Sequence, residues 1–318
     1  MITATAPARV DLAGGTLDIW PLCHLLERPG LTVNCAIDRR ARAEAEERTD
    51  GLVVVESVDR NERVSHPADA LRHDRLGIAT RLAEAIAPGM ALHLRIESRV
   101  PPGSGLGGSS ALSVAIAAAL AALRGDALAG EALRELVQTT ETRVLGLPTG
   151  YQDYYPAIRG GVNAIGATER GIVVTPIPGA EAFLRRHLVV VDTGIEHASG
   201  MNNWEVVRRF LDGDEQTRRN LNRINECSYA MREALLARDL AATARALDAE
   251  WSARRDLAPV VSNPRIESCI ADARRRGALA AKICGAGGGG GLALLVPEAQ
   301  GFTGGLPFRP DAEGVTVG

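Results

Sequence analysis

The sequence predicts an α+β protein, and three observations carry that prediction. The first half alternates short β-prone segments with segments of helical periodicity, and residues 201–256 are dominated by helical periodicity with many Arg, Asp and Glu. The chain then returns through a strand, a run of glycines and a second strand. Strands and helices that segregate along a chain are typical of the α+β class. The change near residues 193–200 predicts two lobes, 1–195 and 196–318.

The strands of the first lobe are predicted where aliphatic and β-branched residues cluster or alternate between turn residues. Residues 2–14 hold short β-prone pieces that Pro7 interrupts and that Gly14-Gly15 ends. The later strands are Leu31–Ile37, Arg40–Ala45, Leu52–Ser57, Ala91–Ser98, Val162–Ile165, Ile172–Pro176 and Leu188–Val191. Charged turns separate the three strands between residues 31 and 57, which favours antiparallel pairing among them.

The helices follow from apolar spacing and from end signals. The first is predicted from Asp69, a suitable N-cap, to Ala87, where Pro88-Gly89 ends it. Two more are predicted at about Ser109–Leu123 and Gly130–Leu145, the latter ended by Gly146. In the second lobe, the helical block and a helix at Pro264–Arg276 are accompanied by strands at Ala280–Cys284, Leu292–Val296 and Val315–Val317.

Composition narrows the class of protein. Of the 318 residues, 46 % are hydrophobic and only 3 % aromatic, so the core is expected to be aliphatic. The net charge of −3 argues against nucleic acid as a partner. The five cysteines and six histidines lack metal-ligand spacing, which favours free thiols in a reducing compartment and no zinc site. No signal peptide or membrane span is predicted, so we expect a cytoplasmic protein without a membrane partner.

Residues Pro101–Ala111 read P-P-G-S-G-L-G-G-S-S-A and connect a predicted strand to a predicted helix. Glycines let the backbone approach an anion closely, and a helix N-terminus adds free amides and partial positive charge, so this stretch favours phosphate binding. It lacks the lysine of a Walker A loop, and no acidic residue about 20 positions on completes a Rossmann fingerprint. Ser109 and Ser110 could cap the helix or bind Mg²⁺.

Several charged residues stand in unusual surroundings, and each admits a structural and a functional interpretation. Glu141 lies late in a helix, where it opposes the dipole, so it is a candidate ligand for a cation. Asp153 lies among three tyrosines and could act as a base or simply accept a tyrosine hydrogen bond. Arg9 has small and apolar neighbours, and Asp18 fits an ordinary turn. Lys282 is the only lysine, either through a coding bias towards Arg or for a functional reason.

Three stretches together resemble, in order and position, the signature motifs of the GHMP kinases. They read A-P-A-R-V-D-L-A-G-G-T-L-D (6–18), P-P-G-S-G-L-G-G-S-S-A (101–111) and K-I-C-G-A-G-G-G-G-G (282–291). N-C-A-I-D at 34–38 and the T-G-Y-Q-D-Y-Y turn look most like the branch typified by heptose 7-phosphate kinases and fucose kinases. The resemblance implies a two-lobed fold, with a ribosomal protein S5 domain 2-like, ATP-binding N-terminal lobe and a helical, ferredoxin-like C-terminal lobe.

The resemblance also implies roles for individual residues. Binding of the ATP phosphates falls on Pro102, Gly103, Ser104, Gly105, Leu106, Gly107, Gly108, Ser109 and Ser110. Mg²⁺ ligation falls on Ser110 and Glu141, the general base on Asp153, and the basic residue beside the reacting hydroxyl on Arg9. Acceptor binding falls on Gly14, Gly15, Thr16, Asp18, Gly150 and Gln152. Support of the active site falls on Gly285, Gly287 and Gly288.

The implied activity is ATP-dependent phosphorylation of a hydroxyl of a sugar or sugar phosphate, and a homodimer is compatible with it. Galactose is not expected, because Gly14-Gly15-Thr16-Leu17-Asp18 replaces the G-E-H-T-D of galactokinases. Mevalonate kinases place a lysine where this chain has Arg9. The alternatives are a kinase of a non-sugar alcohol such as mevalonate or a polyol, and a non-catalytic member that binds nucleotide or sugar. His197, Ser199 and Asn202 are expected to face the acceptor or to form a loop with a helix cap.

Overall fold

Two β-sheets form the framework of the protein in a computed structural model, which describes residues 1–72, 76–195 and 199–318, with residues 199–202 described by their backbone alone. The larger sheet contains, among the described residues, β1 (Ile2–Ala13), β2 (Leu31–Glu47), β3 (Leu52–Ser57), β4 (Glu62–Pro67), β5 (Leu92–Glu97), β6 (Val162–Thr168), β7 (Gly171–Pro176) and β11 (Thr316–Val317). The smaller sheet contains β8 (Leu188–Asp192), β9 (Ala280–Ile283) and β10 (Gly291–Leu295) in the order β8-β10-β9.

The helices pack on these sheets and bury an aliphatic core, as the composition predicts. They are α1 (Leu22–Leu25), α2 (Gly77–Ile86), α3 (Gly108–Arg124), α4 (Gly130–Leu145), α5 (Tyr154–Arg159), α6 (Ala180–His187), α7 (Ser199–Leu211), α8 (Glu215–Ala237), α9 (Leu240–Arg254) and α10 (Pro264–Arg275). None of the helices in the described part of the chain is both long and apolar enough to cross a bilayer.

Helix α3 is the element that positions the glycine-rich stretch. Its alanine-rich sequence is buried along most of its length and packs against β1 and β2, because small side chains allow close approach to a sheet. Its N-cap is Gly107, in the left-handed conformation at φ 71°, and no side chain caps the helix. The interpretation of Ser109 or Ser110 as a helix cap is therefore wrong. Glycine supplies the backbone turn, which leaves both hydroxyls free for other partners.

The charged stretch around residues 38–40 is strand rather than turn. The two predicted strands Leu31–Ile37 and Arg40–Ala45 form the single long strand β2, with a shift of register opposite Pro7 and Ala8. The segment after residue 308 holds this stretch extended: Asp38 N–H donates to the Arg309 carbonyl, and Arg40 forms an ion pair with Asp311 at 2.6 Å. This long-range partner has no local signal in the sequence.

Other differences also come from tertiary pairing. Strand β3 pairs in parallel with β5 and antiparallel with β4, so the expected pairing among the three early strands is wrong. Helix α2 begins at Gly77, and Asp69 lies in a turn instead of capping it. The remaining predicted helices and strands are confirmed to within a few residues, except that β1 continues through Pro7 without interruption. The sequence analysis missed α1, β4, α5 and α6. The predicted α+β class is confirmed.

Candidate active site

A cavity of about 510 Å³ opens beside the N-terminus of α3. It brings together residues that are far apart in sequence, and every residue from Pro102 to Ser110 lines it. Gly103, Gly105 and Gly107 all have positive φ, at 69°, 68° and 71°. A loop with this backbone exposes amide groups next to a helix N-terminus, which is a suitable arrangement for binding phosphate.

The second glycine run packs directly on this loop. Gly291 N–H donates to the Ser104 carbonyl at 2.7 Å, and a Cβ on Gly105 would lie 2.3 Å from the Cys284 carbonyl oxygen. Of the three predicted support residues, Gly285 lines the cavity. The other two, Gly287 and Gly288, pack behind it against Val261. The contact between the two glycine runs requires the absence of side chains on both.

Arg9 and Asp153 form an ion pair at the inner wall of the cavity. Asp153 Oδ1 lies 2.6 Å from Arg9 Nη2 and 2.8 Å from Arg9 Nε, and Arg9 Nη1 also donates to the Gly105 carbonyl. Burial by itself would lower the pKa of Arg9, but the negative charges of Asp153 and Asp11 outweigh it and raise the pKa. A permanent cation therefore links the predicted base to the phosphate loop.

Glu141 reaches the start of α3 from α4. Its Oε1 accepts from Ser109 Oγ at 2.8 Å, and its Oε2 accepts from Ser110 Oγ at 3.1 Å and from the Tyr154 hydroxyl at 2.7 Å. Burial raises the pKa of Glu141 above its ordinary value, although the three hydroxyl donors act in the opposite direction. This arrangement places a carboxylate and two hydroxyl oxygens beside the phosphate loop.

The chemistry of this donor set suits a hard cation. Among the described residues, no three His, Cys, Asp or Glu side chains cluster as metal ligands. Mg²⁺, however, is commonly held by one or two protein oxygens together with phosphate oxygens of the substrate. The Ser110 hydroxyl and the Glu141 carboxylate fit that requirement.

Another part of the cavity wall is built around Asp18. Its Oδ2 accepts from Gln152 N–H at 2.8 Å, and a Cβ on Gly150 would lie 1.9 Å from the same oxygen. Burial, followed by the negative charges of Asp153 and Asp11, raises the pKa of Asp18 to about 7 against the hydrogen bonds that lower it. Asp18 is therefore a group that can donate or accept hydrogen bonds near neutral pH.

Thr16 lies beside Asp18 in a strained backbone conformation, with φ of 79°. Its hydroxyl donates to Asn203 Oδ1 at 2.7 Å. Thr16, Asp18, Gly150 and Gln152 all line the cavity, whereas Gly14 and Gly15 lie behind it. A Cβ on Gly15 would lie 2.6 Å from Asp11 Oδ2, so Gly15 allows the turn to pack on the strand below.

Some lining residues had no signal in the sequence. Asn203 comes from α7, and the cavity is also lined by Ser57, Asp59, Arg60, Leu76, Ile78, Ile96 and Leu112. These residues come from separate strands and helices, so only the fold brings them together. His197 lies outside the described residues, as do the side chains of Ser199 and Asn202.

Comparison with known proteins finds two family models on this chain. The model of the GHMP kinases N terminal domain matches residues 75–161, and that of GHMP kinases C terminal matches residues 231–301. A D-glycero-alpha-D-manno-heptose 7-phosphate kinase of Campylobacter jejuni is 28 % identical over 306 residues, which cover 93 % of this chain and 89 % of that protein. A mevalonate kinase of Thermococcus gammatolerans is 30 % identical over 237 residues, which cover 73 % of this chain and 68 % of that protein.

The fold is also found among solved structures. The crystal structure of a D-glycero-D-manno-heptose 1-phosphate kinase from Bacteroides thetaiotaomicron superposes with a TM-score of 0.78 at 22 % identity, and it covers 100 % of this chain and 99 % of the other. At this level of identity the likeness establishes the architecture.

Proposed function

The chain belongs to the GHMP kinases and is an ATP-dependent phosphotransferase, and we propose that its acceptor is a hydroxyl group of a sugar or sugar phosphate of the heptose or fucose type. The observation that carries this proposal is the Arg9–Asp153 pair, which lies between the phosphate loop and the polar pocket of Asp18. The extended similarity to a heptose 7-phosphate kinase supports the substrate class.

In this proposal, residues 1–195 form the ATP-binding domain and residues 196–318 form the C-terminal domain. The amides of the 103–108 loop and the N-terminus of α3 bind the phosphates of ATP. The second glycine run keeps that loop in position through the Gly291–Ser104 hydrogen bond. Phosphoryl transfer depends mainly on such positioning and on neutralisation of charge, so a rigid loop is the main requirement on this side of the cavity.

Ser110 and Glu141 are the residues that would hold Mg²⁺. When bound, the ion would neutralise charge on the β- and γ-phosphates. Ser109 and Tyr154 donate to the Glu141 carboxylate and thereby fix its orientation. Burial raises the pKa of Tyr154 well above its ordinary value, and the charge of Glu141 adds to this, so the tyrosine stays a neutral donor.

Asp153 would take the proton of the acceptor hydroxyl. The hydroxyl oxygen forms the new bond to the γ-phosphorus, the bond to ADP breaks, and the proton moves to the Asp153 carboxylate. Arg9 holds that carboxylate in place through its two N–H contacts and offsets charge on the transferred group. A carboxylate base next to a guanidinium suits an alcohol acceptor.

The acceptor pocket favours a molecule rich in hydroxyl groups. Asp18, Thr16 and Asn203 present carboxylate, hydroxyl and amide groups to the cavity, with Gln152 and Gly150 beside them and Gly14-Gly15 shaping the turn. Mevalonate carries its own carboxylate, which the buried Asp18 would repel in its ionised form. The pocket therefore favours a sugar over mevalonate.

The test is a coupled assay of ADP release over neutral sugars, heptose and hexose phosphates, and mevalonate. We expect turnover with a sugar or sugar phosphate and none with mevalonate. Asp153→Asn should lower kcat by about 10²–10⁴-fold, the usual contribution of a general base, while ATP affinity stays nearly unchanged. Asp311→Asn, which removes the Arg40 ion pair at a distance from the cavity, is the control. Turnover of mevalonate alone would reject the proposed acceptor, and full activity of Asp153→Asn would reject the base.

A further inference from the structure

Four charged side chains are completely enclosed beneath the acceptor side of the cavity. They are Asp11 on β1, Lys282 on β9, and Glu250 and Arg254 on α9, and each is at most 1 % exposed. Lys282 Nζ lies 3.1 Å from Asp11 Oδ2 and 3.0 Å from Glu250 Oε1. Arg254 Nη2 lies 2.6 Å from the same Glu250 oxygen. We call these four residues the buried charge network.

Stability alone does not account for this network. Its two positive and two negative charges balance, but removing charges from water costs free energy that mutual attraction recovers only with very good geometry. Among the described residues, Asp11 Oδ1 and Glu250 Oε2 have no hydrogen-bond partner. Well-packed apolar side chains of similar volume would stabilise such a position equally well or better. The chain nevertheless places its only lysine here.

Within the described part of the chain, the network contacts the turn that carries Thr16 and Asp18. Arg254 Nη2 donates to the Gly15 carbonyl at 2.7 Å, and Arg254 Nη1 lies 3.5 Å from the Thr16 hydroxyl. Gly14 N–H donates to Glu250 Oε1 at 3.3 Å. The network thus binds both the donor and the acceptor groups of the backbone directly before Thr16.

This turn needs an external support. Gly14 and Thr16 both have positive φ, at 88° and 79°, and a left-handed conformation is unfavourable for the β-branched threonine. The hydroxyl of Thr16 is nevertheless directed to Asn203, and Asp18 follows two residues later on the cavity wall. A fixed pair of charges on a helix can hold such a backbone in place.

We propose that Glu250 and Arg254 are positioning residues for the acceptor site, with Lys282 and Asp11 as their electrostatic anchor. None of the four lines the cavity, so they act through the Gly14–Thr16 turn and do not touch the acceptor. The proposal rests on the proposed function, since it assigns Thr16 and Asp18 to the acceptor. It assigns a role in acceptor specificity to a network of buried charges.

The first test is Arg254→Lys, which keeps the charge but has one nitrogen in place of the guanidinium fork. We expect the KM for the acceptor to rise about tenfold, the size of one charge-assisted hydrogen bond, while the KM for ATP changes less than about twofold. Arg274→Lys is the matched control. Arg274 lies on α10, its side chain is 46 % exposed, and it pairs with Asp248, which lies on α9 like Arg254. It should leave both KM values unchanged.

Two charge-neutral double variants keep the test valid if Arg254→Lys does not fold. Glu250→Gln/Arg254→Gln removes the pair that holds the turn and leaves Asp11 with Lys282. Asp11→Asn/Lys282→Met removes the other pair and leaves Arg254 on Gly15. We expect the first double variant to raise the acceptor KM more than the second, whatever their thermal midpoints. If the two double variants raise the acceptor KM equally, in proportion to the fall in their thermal unfolding midpoints, the network is purely structural and the proposal is overturned.

Hydrogen–deuterium exchange separates this proposal from the proposed function. Glu250→Gln/Arg254→Gln should exchange faster than the wild type in peptides covering residues 14–19, with no change in peptides covering residues 103–110. Unchanged exchange at 14–19 would overturn the positioning role even if the wild type phosphorylates a sugar. If the wild type accepts no sugar, the acceptor assignment fails, and the exchange result still decides whether the network holds the turn.

Discussion

At the scale of single residues, Asp18, Glu141 and Asp153 line one cavity, and each carboxylate has a different set of partners. Asp153 pairs with a guanidinium, Glu141 accepts from three hydroxyls, and Asp18 accepts from a backbone amide. A cation favours the ionised carboxylate, whereas burial without a cation favours the protonated form. The different surroundings therefore agree with the different roles that we propose for the three residues, as base, metal ligand and acceptor-binding group.

Glu141→Gln tests the proposed metal ligand. The amide keeps a similar shape but loses the negative charge that a divalent cation needs, so we expect the Mg²⁺ concentration for half-maximal activity to rise about tenfold or more. The measurement is a titration of activity with Mg²⁺ at fixed ATP.

Helix α4 offers a matched control for this variant. Glu131 also accepts from a tyrosine hydroxyl, that of Tyr155 at 2.7 Å, but it does not line the cavity. Glu131→Gln should leave the Mg²⁺ requirement unchanged. If Glu141→Gln behaves in the same way, Glu141 is not a metal ligand.

Asp18→Asn tests the effect of burial on protonation. Because the pKa of Asp18 is raised in the folded protein, from 3.8 to about 7, the folded state keeps a proton that the unfolded state has lost. Binding of that proton by the folded state adds to the free energy of unfolding below about pH 4, and the added stability is lost as the pH rises to about 7. The wild type should therefore become less stable than Asp18→Asn by up to about 4 kcal/mol at pH 8, with similar stabilities at pH 4.

Denaturant unfolding of both proteins between pH 4 and pH 8 measures this difference. A difference that stays constant over the range would show that Asp18 titrates at its ordinary pKa. Acceptor KM in the same series should change most for the wild type, since the asparagine has no proton to lose.

At the scale of elements, the two glycine runs are in direct contact, and we expect the proposed phosphate site to depend on that contact. Sequence patterns predict each run and the helix after the first, because glycine and alanine have strong local signatures. They do not predict that Gly105 lies against the backbone of Cys284, or that the second run holds the first. That contact joins an end of α3 to the edge of the smaller sheet.

Gly105→Ala tests this contact. A Cβ at this position would lie 2.3 Å from the Cys284 carbonyl oxygen and would also occupy a positive φ of 68°. We expect a shifted loop and a rise in the KM for ATP of about tenfold or more, because small displacements of catalytic groups are costly.

Gly51→Ala is the control for the backbone effect alone. Gly51 has a similar φ of 74°, but nothing lies within 4 Å of the added Cβ. It should destabilise the protein by about 1–2 kcal/mol without changing ATP kinetics. Equal kinetics for the two alanine variants would show that the contact between the glycine runs does not hold the phosphate loop.

At the scale of the whole molecule, the two sheets are joined by interactions that cross the proposed domain boundary at residue 195. Asp11 of the larger sheet is neutralised by Lys282 of the smaller one, and β11 near the C-terminus pairs with β1. Breaking a buried ion pair by removing one partner costs about 3–5 kcal/mol. The stability of residues 1–195 is therefore expected to depend on residues 196–318.

We expect a fragment of residues 1–195 to lack cooperative unfolding when produced alone. It would lack the Lys282 that pairs with Asp11, and it would leave β8 without β9 and β10. Thermal unfolding followed by circular dichroism measures this, with the fragment mixed with residues 196–318 as the complementation control. A cooperative transition of the isolated fragment close to that of the full chain would show that the two domains fold independently.

The sequence by itself determined the α+β class, the glycine-rich turn before α3, helices α3 and α4, and the family, because these depend on local spacing and on glycine. It also singled out Arg9, Glu141, Asp153 and Lys282 as charged residues in unusual places, but their roles stayed open.

Only the tertiary structure decided which charges meet: Arg9 with Asp153, and Lys282 with Asp11 and Glu250. Arg9 and Asp153 are 144 positions apart, Lys282 and Asp11 are 271 apart, and Lys282 and Glu250 are 32 apart. No local sequence pattern encodes pairs at such separations. The same is true of the charged stretch at 38–40 and of Asn203, whose positions depend on distant partners. Local propensity fixes the elements, whereas burial, charge pairing and close backbone contact between distant segments fix the site.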